Sequence, residues 1–496
     1  MKPNSFSEAT FIFILICCLF ASESFATSLN DVLNIYALNS PKAKMIRIKY
    51  KNDILEYENY KKSFLPSISL GLTPLGFNRN FNLMQNPVTG EYSYVHDYSN
   101  SSSTNITVSQ KIGITGGYLS LSSSLGYLRE FSIKRNSFSS SPIYISYNQP
   151  LLGGYRLYKQ NKALTRLRHE YSIKEFCNSM SSEQNRLLSM YLDAYSTKLQ
   201  SEMNRQNILT GDTLLRFAKL KLDNGVITKY EYNRIELQQL QAEEEAERQE
   251  HSYREKVINL CTELGIESLD IESPQENDLP PLLDEKNVLS LVHRNSPRYM
   301  NSEIQRKQAE YNRMQTMNSL KFNGDVSLSY GMNQYGESLK AVYSHPEQRQ
   351  SISITLKFPV FQWGINNNKR KMAENEYRSA IINIEQSERE FDNSIKNQVE
   401  EYHSAYKSFL LAKKAFALYR EQYSMTVKKF SMGKNSLYDV TADYKSLQSS
   451  IMSYSSSMQK LYTAYYTLRH LTLYDFAMNL DLENLYTKQW TVKVKK

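Results

Sequence analysis

The sequence predicts a mixed α and β protein in which alternating membrane strands lead into long coiled-coil helices, the whole plan being written twice. Three observations predict it. Several short segments alternate between apolar and small polar residues. The stretch from Ile365 to Met432 contains neither glycine nor proline. The same order of signals recurs in the two halves of the chain.

The chain has 496 residues, a net charge of +9 and an ordinary apolar content. Its first 26 residues read as a secretory signal: Phe11 to Phe20 is apolar, and Ser24-Phe25-Ala26 supplies small residues for cleavage after Ala26. A membrane anchor is the other reading, but ten apolar residues fall short of the ~20 that a spanning helix needs. Cys17 and Cys18 lie inside the apolar run with no small residue before either, which disfavours lipid attachment. No later segment is long and apolar enough for a membrane helix, so any membrane contact of the mature chain must be made by strands. The positive charge does not point to nucleic acid, because basic and acidic residues alternate, as in Lys369-Arg370-Lys371 followed by Glu374 and Glu376.

The duplication divides the chain into a first repeat (27–272), a linker (273–285), a second repeat (286–478) and a tail (479–496). Each repeat carries a similar segment that opens on Asn-Ser-Pro, at Asn39 and Asn295, with Ser40 and Ser296 placed to cap the helix that follows. Strands then alternate. Ile68, Leu70 and Leu72 fall on one face of "SISLGL", and Ile352, Ile354, Leu356 and Phe358 on one face of "SISITLKF". A soluble sheet on a core would alternate in the same way. The membrane reading is preferred because the polar faces are Ser, Thr and Asn, and because almost all remaining sequence is long helix.

Strands end at Pro–Gly junctions, Pro150 with Gly153-Gly154 and Pro359 with Gly364. Proline stops the ladder there, and glycine allows the chain to turn into a helix. At ~1.5 Å per residue the run beginning at Ile365 makes about 100 Å of helix. Along it Ile395, Tyr402, Phe409, Phe416, Tyr423 and Phe430 recur every seventh residue, the period of left-handed coiled-coil packing. The matching run of the first repeat, Tyr155 to Asn224, has Gly211 as its only breaker.

Catalytic motifs are missing. "GITGGYLS" lacks the lysine of a phosphate loop, and neither a zinc-protease helix nor a nucleophile elbow occurs. No enzyme activity, cofactor or metal is expected. Two glycine turns stand out instead. Gly225 and Val226 precede Thr228-x-x-Glu231, and Gly433 and Lys434 precede Ser436-x-x-Asp439, both with capping-box spacing.

The duplicated order, "QPLLGG" from Gln149, "FPVF" from Phe358 and the two turns together resemble the TolC-like outer-membrane factor, or outer membrane efflux protein, family. The resemblance covers nearly the whole mature chain. It implies a homotrimer sharing one β-barrel in Gram-negative outer-membrane lipid, continued by a periplasmic helical tunnel. Its partners would be a periplasmic adaptor and an inner-membrane pump of RND or ABC type. The implied function is the exit duct of a tripartite efflux system, with type I protein or peptide secretion as the alternative. A passive porin leaves the long helices without a task, and a structural coiled coil leaves the strands unexplained. The resemblance also makes Gly225, Val226, Thr228, Gly433, Lys434 and Ser436 adaptor-contacting, and places Asp439 and Asp443 at the pore entrance. The second family acid corresponds to Ala442, one residue before Asp443. A family member has two strands per repeat and a twelve-stranded barrel. Here "TNITVSQK" (104–111) and "YLSLSSSLGY" (118–127) add a pair, so either the barrel is larger or this hairpin sits at its rim.

Overall fold

The computed structural model describes residues 26–85, 89–131, 134–274 and 282–486. The signal segment up to Phe25, with Cys17 and Cys18, lies outside the described residues, as do most of the linker and the end of the tail. In chain order the elements are β1 (Ala26–Thr27), α1 (Leu29–Asn39), α2 (Pro41–Lys62), β2 (Ser67–Gln85), β3 (Tyr92–Ile112), β4 (Gly117–Glu130), β5 (Arg135–Pro150), α3 (Gly154–Asp223), α4 (Lys229–Leu264) and β6 (Asp270–Ile271). The second half continues with α5 (Glu285–Asn295), α6 (Pro297–Ser319), β7 (Asn323–Gly336), α7 (Ala341–Ser344), β8 (Glu347–Lys357), α8 (Ile365–Ser431), α9 (Leu437–Thr472), β9 (Tyr474–Asp475) and β10 (Leu480–Asp481). None of the described helices is long and apolar enough to cross a membrane. The chain forms two compact units. Among the described residues, one falls within Lys51–Ser172 and Arg298–Glu388, the other within the segments up to Tyr50, Ile173–Pro297 and from Arg389 onward.

The first unit holds a six-stranded sheet in the order β2-β3-β4-β5-β7-β8, antiparallel throughout. The additional pair β3–β4 is in the middle of this sheet. One row of cross-strand partners runs Ile68, Val108, Leu121, Ile145, Tyr330. On the opposite face a row consists of serine in every strand: Ser67, Ser109, Ser120, Ser146, Ser329 and Ser351. Neighbouring hydroxyls satisfy one another, Ser67 with Ser109 at 2.9 Å and Ser120 with Ser146 at 2.6 Å. The apolar face is uncovered: Ile68, Leu70, Leu72, Ile352 and Ile354 are all exposed. An open apolar sheet face of this kind is at home in lipid.

β2 is longer than the alternation "SISLGL" suggests. A bulge between Thr73 and Gly76, at Pro74, moves the apolar set from even to odd positions. Leu75, Phe77, Phe81 and Leu83 thereby continue the exposed apolar surface begun by Ile68. Proline is tolerated at this place because β2 is an edge strand.

The second unit is helical. The seven-residue stripe of α8 faces inward: Ile395 and Tyr402 are fully buried, Phe409 and Phe430 nearly so, and Phe416 and Tyr423 half-buried. α9 answers with aromatic side chains, Tyr454 stacking on Phe416 at 5.3 Å and Tyr444 lying 5.7 Å from Tyr423. Gly211 does not break α3. The side chain of Gln239 occupies the space a Cβ would need, and donates to Asp212 at 2.9 Å. A mid-helix glycine costs only ~1 kcal/mol, which this contact offsets.

The Asn-Ser-Pro segments differ from expectation. Each is a joint between two helices. The Ser40 N–H donates to the Tyr36 carbonyl (3.2 Å) and the Ser296 N–H to that of Val292 (2.9 Å), so both serines close the preceding helix through their backbone. The helices before the joints begin at side-chain caps, Ser28 on the Asp31 N–H and Asp284 on the Asn287 N–H. Proline then starts the next helix, where its missing N–H is not needed.

Candidate functional site: helix turns and strand junctions

The two turns between long helices are built alike. At the end of α3 the Gly225 N–H donates to the Leu222 carbonyl and the Val226 N–H to that of Lys221. At the end of α8 the Gly433 N–H donates to Phe430 and the Lys434 N–H to Lys429. Both are Schellman motifs, which require a left-handed residue. The glycines supply it, with φ of 70° at Gly225 and 76° at Gly433.

A capping box follows each turn. The Thr228 hydroxyl accepts from the Glu231 N–H, and the Ser436 hydroxyl from the Asp439 N–H; both carboxylates accept in return from the N-cap backbone. These bonds favour the ionised carboxyl. The Thr228 backbone and side chain hold Glu231 below the usual carboxylate range, and the Ser436 side chain and backbone do the same for Asp439. A lowered carboxyl in the folded state stabilises at pH above the ordinary carboxylate range. That contribution is lost as acid protonates the folded group, so both turns are secured at neutral pH.

The turns pack side by side. Leu214, Phe430 and Val440 form one buried cluster, and the Lys221 ammonium sits 4.8 Å from the Phe430 ring. Gln238 donates to Thr441 at 2.7 Å. Asp443 points back onto α8, where its two oxygens accept from Gln422 (2.8 Å) and Thr426 (2.6 Å). Asp439 and Asp443 thus differ: one caps its own helix at the surface, the other ties α9 to α8. Val226, Tyr230, Met432 and Tyr438 are each more than two-thirds exposed around the turns. Tyr230 and Tyr438 were not singled out from the sequence, although each stands two residues after its cap, in "TKYE" and "SLYD". That equivalence was the available signal.

A β-branched residue in a left-handed turn costs about 1–2 kcal/mol. No atom would meet a Cβ at Gly225 or Gly433, so the penalty is confined to the backbone. On the docking role that the resemblance implies, Gly225→Val and Gly433→Val are expected to leave the fold intact and to reduce export together with cross-linking from the neighbouring turn residues to an adaptor. Export assays and photo-cross-linking in cells check this; unchanged behaviour in both variants would separate the turns from docking.

The strand–helix junctions lie within the sheet unit. Pro150 is the last residue of β5 and pairs with Asp325, and the next N–H, of Leu151, donates to the Gly324 carbonyl at 2.8 Å. Gly153 then takes φ 79° and α3 begins at Gly154. In the second repeat β8 ends at Lys357, before Pro359, and Gly364 takes φ 80° ahead of α8. Val360, Phe361 and Trp363 are strongly exposed at this junction. Aromatic side chains there suit the boundary between lipid and water.

The chain thus holds an amphipathic sheet with an uncovered apolar face and, separately, a pair of matched helical hairpins. Residues 288–472, the greater part of the second repeat, match the family model described as outer membrane efflux protein, and the likeness to the TolC-like outer-membrane factors drawn from the sequence is borne out. That family is one of transport ducts rather than enzymes, and its place is the Gram-negative outer membrane, extending into the periplasm. The fold is similar to that of the Campylobacter jejuni CmeC outer membrane channel, with a TM-score of 0.63 and 13% identity over 93% of this chain and 88% of that one. It is also similar to the outer membrane protein VceC of Vibrio cholerae (TM-score 0.60, 11% identity, 90% of this chain and 95% of that one). The open-state MtrE outer membrane channel of Neisseria gonorrhoeae gives a TM-score of 0.56 at 12% identity over 90% of this chain and 88% of that one. No curated protein matches the chain closely in sequence.

Proposed function

We propose that this protein is the homotrimeric exit duct of a tripartite efflux system, receiving cargo from an inner-membrane pump of RND or ABC type through a periplasmic adaptor. The observation that carries this reading is the pair of matched turns, each rigidly capped and each presenting exposed apolar side chains. Such a patch, held on a fixed backbone, suits a protein partner. Gly225, Val226, Thr228, Gly433, Lys434 and Ser436 would form the adaptor contact, with Tyr230 and Tyr438 as its aromatic anchors. A photoreactive residue at position 226 or 434 tests the assignment. Capture of a periplasmic adaptor that itself co-purifies with a pump supports it; no capture from a correctly assembled protein refutes it.

Asp439 and Asp443 are proposed to line the pore entrance. Threefold symmetry would gather six carboxylates there, attracting cations. Asp439 is ionised at neutral pH because its cap lowers its pKa, so cation attraction should fade only as acid reaches that lowered value. Single-channel recordings of Asp439→Asn/Asp443→Asn are expected to show lower cation selectivity and a weaker response to acid than the native channel. Unchanged selectivity would leave Asp439 as a cap and Asp443 as a tie to Gln422 and Thr426.

A further inference from the structure

We infer that three copies of this chain close a barrel of eighteen strands, with β8 of each copy joined to β2 of the next. The inference rests on the proposed trimer and goes beyond it in strand number, seam and width. All six strands form one ladder, and the pair β3–β4 is paired on both sides over most of its length. The face grammar passes through the additional pair without interruption. Val108 and Leu121 carry the apolar row across it, and Ser109 and Ser120 carry the serine row. A hairpin lying at the rim would have no reason to keep both faces in step with the wall. β3 and β4 are therefore wall strands.

The two outer edges call for a partner of one kind. Among the described residues, β2 and β8 are each paired on one side only. Unpaired strand edges are not tolerated in hydrocarbon. Six strands are also too few to close on themselves, since about eight give an interior only just filled by side chains. The occupant of each edge must then be another strand of matching character, and the chain carries one. Six alternating strands leave β2 and β8 running in opposite directions, so head-to-tail joining continues the antiparallel pattern. Ile68, Leu70 and Leu72 at one edge match Ile352, Ile354 and Leu356 at the other, with Ser67 and Ser69 matching Ser351 and Ser353 behind them. The join keeps apolar residues outward and serines inward. In an antiparallel join the start of β2, Ser67 to Thr73, lies beside the end of β8, Ser351 to Lys357.

Barrel diameter grows roughly in proportion to strand number, so eighteen strands give about 1.5 times the diameter of twelve. Barrels of about 16–18 strands enclose an aqueous channel. The outer-membrane mouth of this duct is therefore wider than that of a relative with two strands per repeat, and it would pass bulkier cargo.

Electron cryomicroscopy of the detergent-solubilised full-length protein counts the strands. Eighteen, with β3 and β4 in the wall, is expected; a trimer with a twelve-stranded wall overturns the inference while leaving the trimer standing. A protein that is not trimeric overturns the underlying reading instead. The seam is tested by cysteine pairs that an antiparallel join brings together, Ser69→Cys on β2 with Ser353→Cys or Thr355→Cys on β8, and Thr73→Cys with Ser351→Cys, oxidised in membranes. The native Cys177 and Cys261 are buried and stay in place. Covalent trimers on a denaturing gel support the β8–β2 seam. Cross-links confined to single chains, or none from any pair in an assembled trimer, refute it.

Discussion

Ile354→Arg is expected to abolish the protein's accumulation in the outer membrane, while Ser353→Arg, one residue away, leaves it there. Ile354 is exposed on the apolar face and pairs with Val326. An arginine on a lipid-facing strand costs about 2–4 kcal/mol near the bilayer midplane. Repeated three times around the proposed trimer, that penalty rivals the whole stability of a typical domain. Ser353 pairs with Ser327 on the hydroxyl face, where a long cation would meet water. Quantifying both variants in isolated outer membranes, against a soluble periplasmic control, checks the assignment. Equal tolerance of the two arginines would mean that the exposed apolar face is covered by protein and not by lipid.

Asp475→Ala should cause the largest loss of stability in the helical unit. Arg469 is buried, and its guanidinium donates to Asp475 at 2.7 Å and to Gln184 at 3.0 Å. Asp475 also accepts from Tyr465 and from the backbone of Ala477 and Met478, each at 3.1 Å. Burial opposes the charge on Arg469, but the hydrogen-bonded Asp475 carboxylate holds the guanidinium ionised. Removing the aspartate leaves that charge buried without its counter-ion, a loss of about 3–5 kcal/mol. The double variant Arg469→Met/Asp475→Asn removes both charges and keeps an acceptor for the backbone donors, so it should lose much less. Thermal unfolding of purified proteins, followed by circular dichroism, separates the two. Equal losses would show that packing, rather than the stranded charge, sets the penalty.

Local chemistry made much of this fold legible in the sequence. The period-two strands, the seven-residue stripe of α8 and the two glycine turns each depend on residues near one another in the chain, and each forms as expected. The upper half of β2 was hidden because the Pro74 bulge reverses its phase, and an alternation that changes parity looks like no alternation. The joint at Ser40-Pro41 looks in sequence like a single helix start, because α1 precedes it without a glycine. At the site, the caps of Asp439 and Glu231 were legible from spacing. The ties from Asp443 to Gln422 and Thr426 were not, since they depend on how α9 lies against α8.

The row of serines has a consequence for whatever touches it. Serine reaches barely beyond the backbone, and its hydroxyl both gives and receives a hydrogen bond. Two neighbouring pairs along the row already satisfy one another across the strands. A solute brushing the row itself exchanges one hydroxyl for the next, or for a water, at nearly constant energy, and meets charge only beside the row, at Lys111 and Arg349 on the same face. The surface is in this sense low in friction: it has little to recognise, so it has little to release.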